Sequence, residues 1–113
     1  MEKRVDAGLL LSFYGAMLTG RQWEALRLYY EDDLSLSEIA GLCSLSRQGA
    51  HDLIRRGEAQ LFSLEQKLGL RAKWTRMCAG LGECREAITA GQLNQALRIL
   101  DDLLREEEEQ DGV

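Results

Sequence analysis

The chain has 113 residues and contains no proline, while leucine and alanine are abundant and β-branched residues are few. This composition predicts an all-α fold, and the length suits one domain, or one domain with an appendage. No apolar run approaches the roughly 18 residues of a membrane span. The basic and then apolar N-terminus superficially suggests a signal peptide, but its acids and its helical period favour a mature helix. We therefore expect a cytoplasmic protein.

The net charge of −5 is unevenly distributed. Residues 101–113 contain seven acids and one arginine, so that they carry −6 and the remaining residues carry +1. A nearly neutral body has no strong positive field, and any contact with phosphate must come from a local cluster. The run of glutamates is typical of a solvated, frayed helix end, and an acidic interaction tail is the alternative.

Cys43, Cys78, Cys84 and His51 are the residues that most often bind metals, but their spacing fits no zinc pattern. We predict no metal and no cofactor, and we interpret the cysteines as buried reduced thiols. The chain also has no phosphate-binding glycine loop and no paired nucleophile and base. These features predict that the protein is not an enzyme.

Two helices are predicted before the most informative motif. The first runs from Asp6 to Leu18, and the second opens with a capping box at Thr19–Gln22 and ends near Tyr30. The predicted apolar positions are Leu10, Phe13, Tyr14, Met17, Leu18, Trp23, Leu26 and Tyr29 or Tyr30. Their helical spacing favours a core, and the alternative is that Tyr14, Trp23, Tyr29 and Tyr30 form a platform for stacked bases.

The stretch Leu34–Arg56 has the pattern of a helix-turn-helix, although a purely structural hairpin has similar spacing. Ser35 and Glu38 form a second capping box, and Ser46 can cap the second helix. Ser44 occupies the turn position that glycine often fills. The inward positions are Leu36, Ile39, Ala40, Cys43, Leu45, Ala50, Leu53 and Ile54.

The remaining face of the second helix is polar and is the candidate nucleic-acid-binding surface. We expect its arginines to contact phosphate, while Gln48 and His51 approach base edges. The alternative is that these arginines are ordinary solvated residues paired with Glu58 or Asp52. The predicted site comprises Ser46, Arg47, Gln48, His51, Arg55 and Arg56.

The second helix continues without a stop signal to about Leu68, and Gly69 is its first credible end. We therefore predict a helix-turn-helix domain over residues 1–69 and a C-terminal helical extension over 70–113. Within the extension, Gly80 and Gly82 weaken a helix that reaches about residue 90 and could divide it. The final helix has an apolar stripe at Leu93, Ala96, Leu97, Leu100 and Leu104, and the facing stripe is predicted at Trp74, Met77, Leu81 and Ile88. Its partner is either that preceding helix or a second copy of the chain, and we favour a homodimer.

The stretch from Leu10 to Leu70 resembles YlxM, a small bacterial family related to the sigma-factor domain that reads the upstream promoter element. The resemblance lies in SFYGAML, LTGRQ, LYYEDDLSLSEIA, SRQGAHDLIRR and EQKLGL. It implies a promoter-reading type of helix-turn-helix with additional C-terminal helices. It also implies an accessory or regulatory role in the signal recognition particle pathway, with DNA, the particle's RNA or its GTPase as partner.

Two residues depart from the sigma-factor pattern. Gly49 stands where a longer, often basic residue is usual, and Asp52 places an acid toward phosphate. We therefore expect weak or non-specific nucleic-acid binding rather than tight operator recognition. The predicted function is a nucleic-acid-binding regulatory protein of the signal recognition particle pathway. The alternative is a protein-interaction or dimerisation module that acts on the targeting GTPases without nucleic-acid contact.

Overall fold

The computed structural model describes residues 3–111, in which every regular element is helical. The elements are α1 (Lys3–Tyr14), a short 3-10 helix (Gly15–Met17), α2 (Gly20–Tyr30), α3 (Leu36–Cys43), α4 (Arg47–Leu68), α5 (Leu70–Thr89) and α6 (Leu93–Asp111). The predicted all-α fold is confirmed. None of the described helices is long and apolar enough to cross a membrane.

The chain forms two compact units, residues 1–71 and residues 72–113. The border lies two residues into α5, close to the position at which the sequence changes in character. Whether residues 1–69 and 70–113 act as separate functional domains stays a prediction.

The core of the first unit forms where α4 packs against α1, α2 and α3. Its largest fully buried side chains are those of Leu10, Tyr14, Leu26, Ile39 and Leu61. Burying a side chain of this size stabilises the fold by roughly 1.5–3 kcal/mol, so these few residues account for much of the cohesion.

Two residues predicted for the core are substantially exposed. Met17 has 56% of its surface exposed because the 3-10 turn interrupts the α-helical period and moves it off the apolar stripe of α1. Trp23 is 41% exposed. One side of its ring lies on the backbone at Gly15, where a Cβ atom would come within 2.9 Å of the indole Cδ1. The guanidinium of Arg27 lies 5.5 Å from the centre of that ring. Trp23 therefore covers the edge of the core rather than filling it.

A close approach between α2 and α4 depends on Gly57, which is buried. A Cβ atom at this position would lie 2.7 Å from Cδ1 and 3.3 Å from Cγ of Leu26. Leu26 is itself fully buried and has no room to retreat. The missing side chain thus sets the separation of the two helices.

The end of α4 is tied to α1 by a buried tyrosine. The Tyr14 hydroxyl donates to Glu65 Oε1 at 2.6 Å and accepts from the Leu70 amide at 2.9 Å. The same carboxylate oxygen accepts from the Arg71 amide at 2.9 Å. Between these groups Gly69 ends α4 in the left-handed conformation, with φ of 65°. The confirmed stop at Gly69 is therefore held by side chains that are distant in sequence.

The C-terminal unit corrects three predictions. First, α5 is continuous from Leu70 to Thr89, and Gly80 and Gly82 do not divide it. A Cβ atom at Gly80 would lie 2.7 Å from Leu103, so this glycine admits a side chain of α6. Second, α6 continues through the acidic stretch to Asp111, and Lys73 pairs with Glu107 at 2.6 Å, which stabilises an end that was predicted to fray.

The third correction concerns which face of α5 meets α6. Trp74, Leu81 and Ile88, predicted to face the final helix, are exposed, whereas Met77, the fourth residue of that predicted stripe, is half-buried. The smaller residues Gly80 and Cys84 meet α6 instead, through Leu103 and the Ala96 carbonyl. Gly80 leaves space for the Leu103 side chain, and the Cys84 thiol reaches the Ala96 carbonyl, so this side of α5 faces α6.

All three cysteines are free thiols. Cys84 is buried and Cys43 is half-buried, in line with the predicted role as small apolar residues. Cys78 is exposed, so its prediction as a buried residue is wrong. It lies one helical turn from Trp74, on the part of α5 that faces away from α6.

Candidate nucleic-acid interface

Helices α3 and α4 form the predicted helix-turn-helix. Ser35 and Glu38 make a complete capping box at the start of α3, in which the Ser35 amide donates to Glu38 Oε1 at 2.9 Å. Hydrogen bonds from backbone and side chain of Ser35 lower the pKa of the Glu38 carboxyl. Ser44 ends α3 with φ of 57°, the left-handed conformation that the motif requires at this position. The turn is closed by a hydrogen bond of 2.9 Å from the Leu45 amide to the Ala40 carbonyl.

The beginning of α4 is fixed by Ser46. Its side chain accepts a hydrogen bond of 2.9 Å from the Gly49 amide. The hydroxyl oxygen therefore serves the helix cap, while its proton remains available for a phosphate oxygen. Ser46 thus positions the helix as well as lying on its candidate binding face.

The polar face of α4 is exposed to solvent. Ala50, Ile54, Gly57 and Leu61 occupy the buried face, and at about 100° per residue the opposite side is centred on Asp52, with Gln48 next to it. Arg55, His51 and Arg47 follow on the Gln48 side of that centre, and Arg56 lies on the other side. All of these residues are exposed except His51, which is half-buried. The helix therefore brings five of the six predicted residues together on one surface, with Ser46 at its end.

Three of these polar groups interact with one another. Gln48 Nε2 donates to Asp52 Oδ1 at 3.0 Å, one helical turn away. His51 Nδ1 lies 3.6 Å from the same oxygen, is shielded from solvent and has no hydrogen-bond partner among the residues that the structure describes. The side-chain amide of Gln48, which was expected to approach a base edge, is therefore already hydrogen-bonded to Asp52.

The three arginines of this face, unlike Gln48, His51 and Asp52, do not interact with the described polar side chains around them through ion pairs. Arg47, Arg55 and Arg56 are exposed, and within residues 3–111 no ion pair joins any of them to a carboxylate. The expected alternative, in which Glu58 or Asp52 neutralises them, does not occur. Glu58 instead accepts a hydrogen bond from the Tyr30 hydroxyl. The positive charges thus face solvent without local compensation by an ion pair.

Arg21 is a fourth arginine beside this surface, and sequence reasoning missed it. Its Nη2 donates to the Cys43 carbonyl at 3.3 Å, which holds the side chain against the end of α3. Arg21 and Arg56 line a groove of about 280 Å³, and Gly49 leaves this groove open. The remaining lining residues are Leu45, Asp52 and Leu53. Arg21 lies 22 residues before Cys43, and no local pattern signals this proximity.

A second groove, of about 360 Å³, follows the other edge of α4. It is lined by Tyr29, Leu36, His51, Ile54, Arg55, Glu58, Ala59 and Phe62. Phe62 lies seven residues after Arg55 and fourteen after Gln48, which places all three on one face of the helix. This spacing is visible in the sequence and could have extended the predicted surface to Phe62.

The two grooves and the face between them form a local basic surface. They carry the four arginines Arg21, Arg47, Arg55 and Arg56, against the carboxylates of Asp52 and Glu58. A protein of net charge −5 thus has a positive region around its helix-turn-helix. In the described residues, no three His, Cys, Asp or Glu side chains are grouped so that they could hold a metal ion.

The chain matches known proteins over most of its length. Residues 1–106 match the family UPF0122, described as "Putative helix-turn-helix protein, YlxM / p13 like". A UPF0122 protein of Symbiobacterium thermophilum is 48% identical over 92 residues, which is 81% of this chain and 86% of the relative. A UPF0122 protein of Acetivibrio thermocellus is 45% identical over 103 residues, covering 91% and 75% of the two chains.

A relative from Shouchella clausii shows that the likeness extends into the C-terminal helices. This UPF0122 protein is 41% identical over 102 residues, which is 90% of this chain and 94% of the relative. The match to the family spans both units, and it agrees with the helix-turn-helix formed by α3 and α4. The chain therefore belongs to the UPF0122 family of YlxM / p13-like helix-turn-helix proteins.

Proposed function

We propose that the protein is a regulatory factor that binds nucleic acid through the exposed face of α4. The observation that carries this proposal is the set of arginines without ion-pair partners beside the helix-turn-helix. Arg47, Arg55 and Arg56 contact backbone phosphates. Among residues 3–111 no ion pair uses their charge, and each contact with phosphate releases a condensed counterion, which favours binding.

Arg21 extends the phosphate contacts to the other side of the groove beside Gly49. Because Gly49 has no side chain, a phosphate or sugar can approach the helix backbone closely between Arg21 and Arg56. Glycine at position 49 cannot contact phosphate with a side chain as a longer basic residue would, but it leaves the groove accessible.

Base recognition is the weaker part of the interaction. Gln48 can bind a base edge only after it leaves Asp52, and the Asp52 carboxylate then repels the phosphate backbone. His51 adds one donor near the second groove. We therefore infer that phosphate contacts dominate and that sequence specificity is low.

We further propose that this activity belongs to the signal recognition particle pathway, as the resemblance to YlxM proteins implies, with DNA or the particle's RNA as ligand. Two copies acting together would reinforce the affinity, because each supplies one recognition helix.

A second candidate function is binding to the GTPase of the same pathway. The groove that favours it contains Tyr29 and Phe62 beside Arg55 and Glu58. This combination of aromatic and charged side chains suits a protein partner. Phe62→Ala should weaken capture of the GTPase and leave nucleic-acid affinity nearly unchanged if this candidate is correct.

A salt titration with the particle's RNA and a DNA duplex tests the first proposal. Fluorescence anisotropy should show affinity that falls steeply with salt, and Arg47→Ala or Arg55→Ala should each lower the slope by about 0.7–0.9. Arg98→Ala is the matched control, because Arg98 is exposed on α6 and lies outside the proposed surface. Lack of binding at about 50 mM salt, or an equal effect of Arg98→Ala, would contradict the proposal.

A further inference from the structure

The C-terminal unit has no core of large side chains. Among its described residues, only Cys84, Ala87 and Ala96 are buried hydrophobic residues. The contacts between α5 and α6 include Leu103 beside Gly80, the Cys84 thiol 3.6 Å from the Ala96 carbonyl, and the Lys73–Glu107 pair, while the larger residues Met77, Ile99, Leu100 and Leu103 are only half-buried. Two helices that bury such small residues gain little hydrophobic stabilisation from each other.

The large apolar residues of this unit lie on a different face. Trp74, Leu81 and Ile88 follow one another at intervals of seven residues along α5. Leu93, Leu97 and Leu104 form a similar stripe on α6. These six residues, the C-terminal apolar face, each have between 49% and 62% of their surface exposed.

The spacing of these residues indicates a helical partner. A repeat of seven residues keeps a stripe in register with another helix over several turns, as in coiled coils and four-helix bundles. Leu93, Leu97, Leu100 and Leu104 follow the alternating intervals of four and three that such packing requires. Two helices already lie side by side in this unit, so that two further helices would complete a bundle.

Charge favours a second copy of the same chain as the source of those helices. Beyond the Lys73–Glu107 pair within the chain, the first half of α5 presents the exposed Arg76, and the last half of α6 presents four exposed acids, Asp101, Asp102, Glu106 and Glu108. A two-fold axis parallel to the helices places α5 of one copy opposite α6 of the other, with these oppositely charged halves at the same level. The same surface therefore complements itself, as a two-fold interface requires.

The exposed area is also sufficient. Each of the six side chains leaves on the order of 100 Å² exposed, and two such faces offer on the order of 1,200 Å², at the lower limit of stable interfaces. The flanking polar residues would enlarge the contact beyond this area.

We propose that the C-terminal apolar face is the contact between two copies of this chain, which pair their α5–α6 hairpins as a four-helix bundle. This proposal rests on the proposed function, in which two copies bind nucleic acid together, and it names the surface through which the two copies pair. Its test measures mass without nucleic acid, so that the dimer and the nucleic-acid interaction can fail independently.

The experiment is analytical ultracentrifugation of the full chain across micromolar concentrations. Wild type should have the mass of two chains, while Leu81→Lys and Leu97→Lys should shift it to one, because each variant buries two lysines in the interface. Leu42→Lys is the matched control, since Leu42 is 67% exposed on α3 and lies outside the face. It should leave the mass at two chains.

Circular dichroism of the same samples checks the fold. The substituted leucines are exposed in the single chain, so the first unit should keep its helices in every variant. A wild-type mass of one chain, or of more than two, would overturn the proposal. Variants at Leu81 and Leu97 that remain dimeric would also overturn it.

Discussion

The Tyr14 hydroxyl donates a hydrogen bond of 2.6 Å to Glu65 Oε1, which joins the last residue of α1 to the last turn of α4. A second hydrogen bond, between Tyr30 of α2 and Glu58, joins α2 to α4 seven residues before Glu65. Both glutamates lie on α4 seven residues apart, with the buried Leu61 between them. Two tyrosines from different helices therefore hold the helix that carries the candidate binding face.

Tyr14→Phe removes the hydroxyl and leaves Glu65 and the Leu70 amide each without one partner. We expect the free energy of unfolding to fall by about 1–3 kcal/mol, as for other buried polar groups that lose a partner. Urea denaturation of both proteins measures the change. Glu65→Gln is the control, because its amide oxygen can still accept from Tyr14, and it should cost less than Tyr14→Phe.

Burial, followed by the hydrogen bond to Glu65, raises the pKa of Tyr14 above the ordinary value of 10.0. The folded state therefore holds this proton more tightly than the unfolded state. The stabilisation is fully present below pH 10 and is lost as the pH rises through the higher folded-state value. The difference in unfolding free energy between wild type and Tyr14→Phe should thus narrow above pH 10, and a constant difference would contradict the assignment.

Gly57→Ala should destabilise the first unit by about 1–3 kcal/mol, because the new Cβ atom overlaps Leu26 in a fully packed core. Gly41→Ala is the matched control. Gly41 lies in α3, and a Cβ atom added there would meet nothing within 4 Å, so alanine should stabilise by about 0.5–1 kcal/mol. Thermal unfolding of both variants gives the comparison, and equal shifts would refute the close approach.

Asp52→Asn should strengthen nucleic-acid binding about two- to five-fold, the range expected from one exposed charge worth about 0.5–1 kcal/mol. The substitution removes a negative charge from the candidate face and weakens the hold on Gln48. Anisotropy at fixed salt measures the gain. Asp102→Asn, on the exposed side of α6, is the control and should leave the affinity unchanged.

Local signals predicted the helix-turn-helix well because its start, turn and caps depend on neighbouring residues. The Ser35–Glu38 box, the left-handed Ser44 and the Gly69 stop are all of this kind. The proximity of Arg21 to Arg56 depends on how α2 meets α4, which spacing along one helix does not encode. The role of Gly57 was missed for the same reason.

The C-terminal unit shows how a correct pattern can lead to a wrong partner. The leucines of α6 and the large apolar residues of α5 are spaced as predicted, yet the two helices meet through Gly80 and Cys84 of α5, which contact Leu103 and Ala96 of α6, and of these four only Ala96 was predicted. Hydrophobic spacing identifies a face that favours burial and does not say which surface will cover it.

Helix α4 runs unbroken from Arg47 to Leu68, and its 22 residues span about 33 Å. Its first turns present the candidate binding face, and its last turns are held by α1 and α2. A bound ligand that tilted the helix would have to break hydrogen bonds at Glu58 and Glu65. Ligand preference can therefore change through substitution of exposed side chains, whereas the angle at which the helix meets its ligand is set by the core.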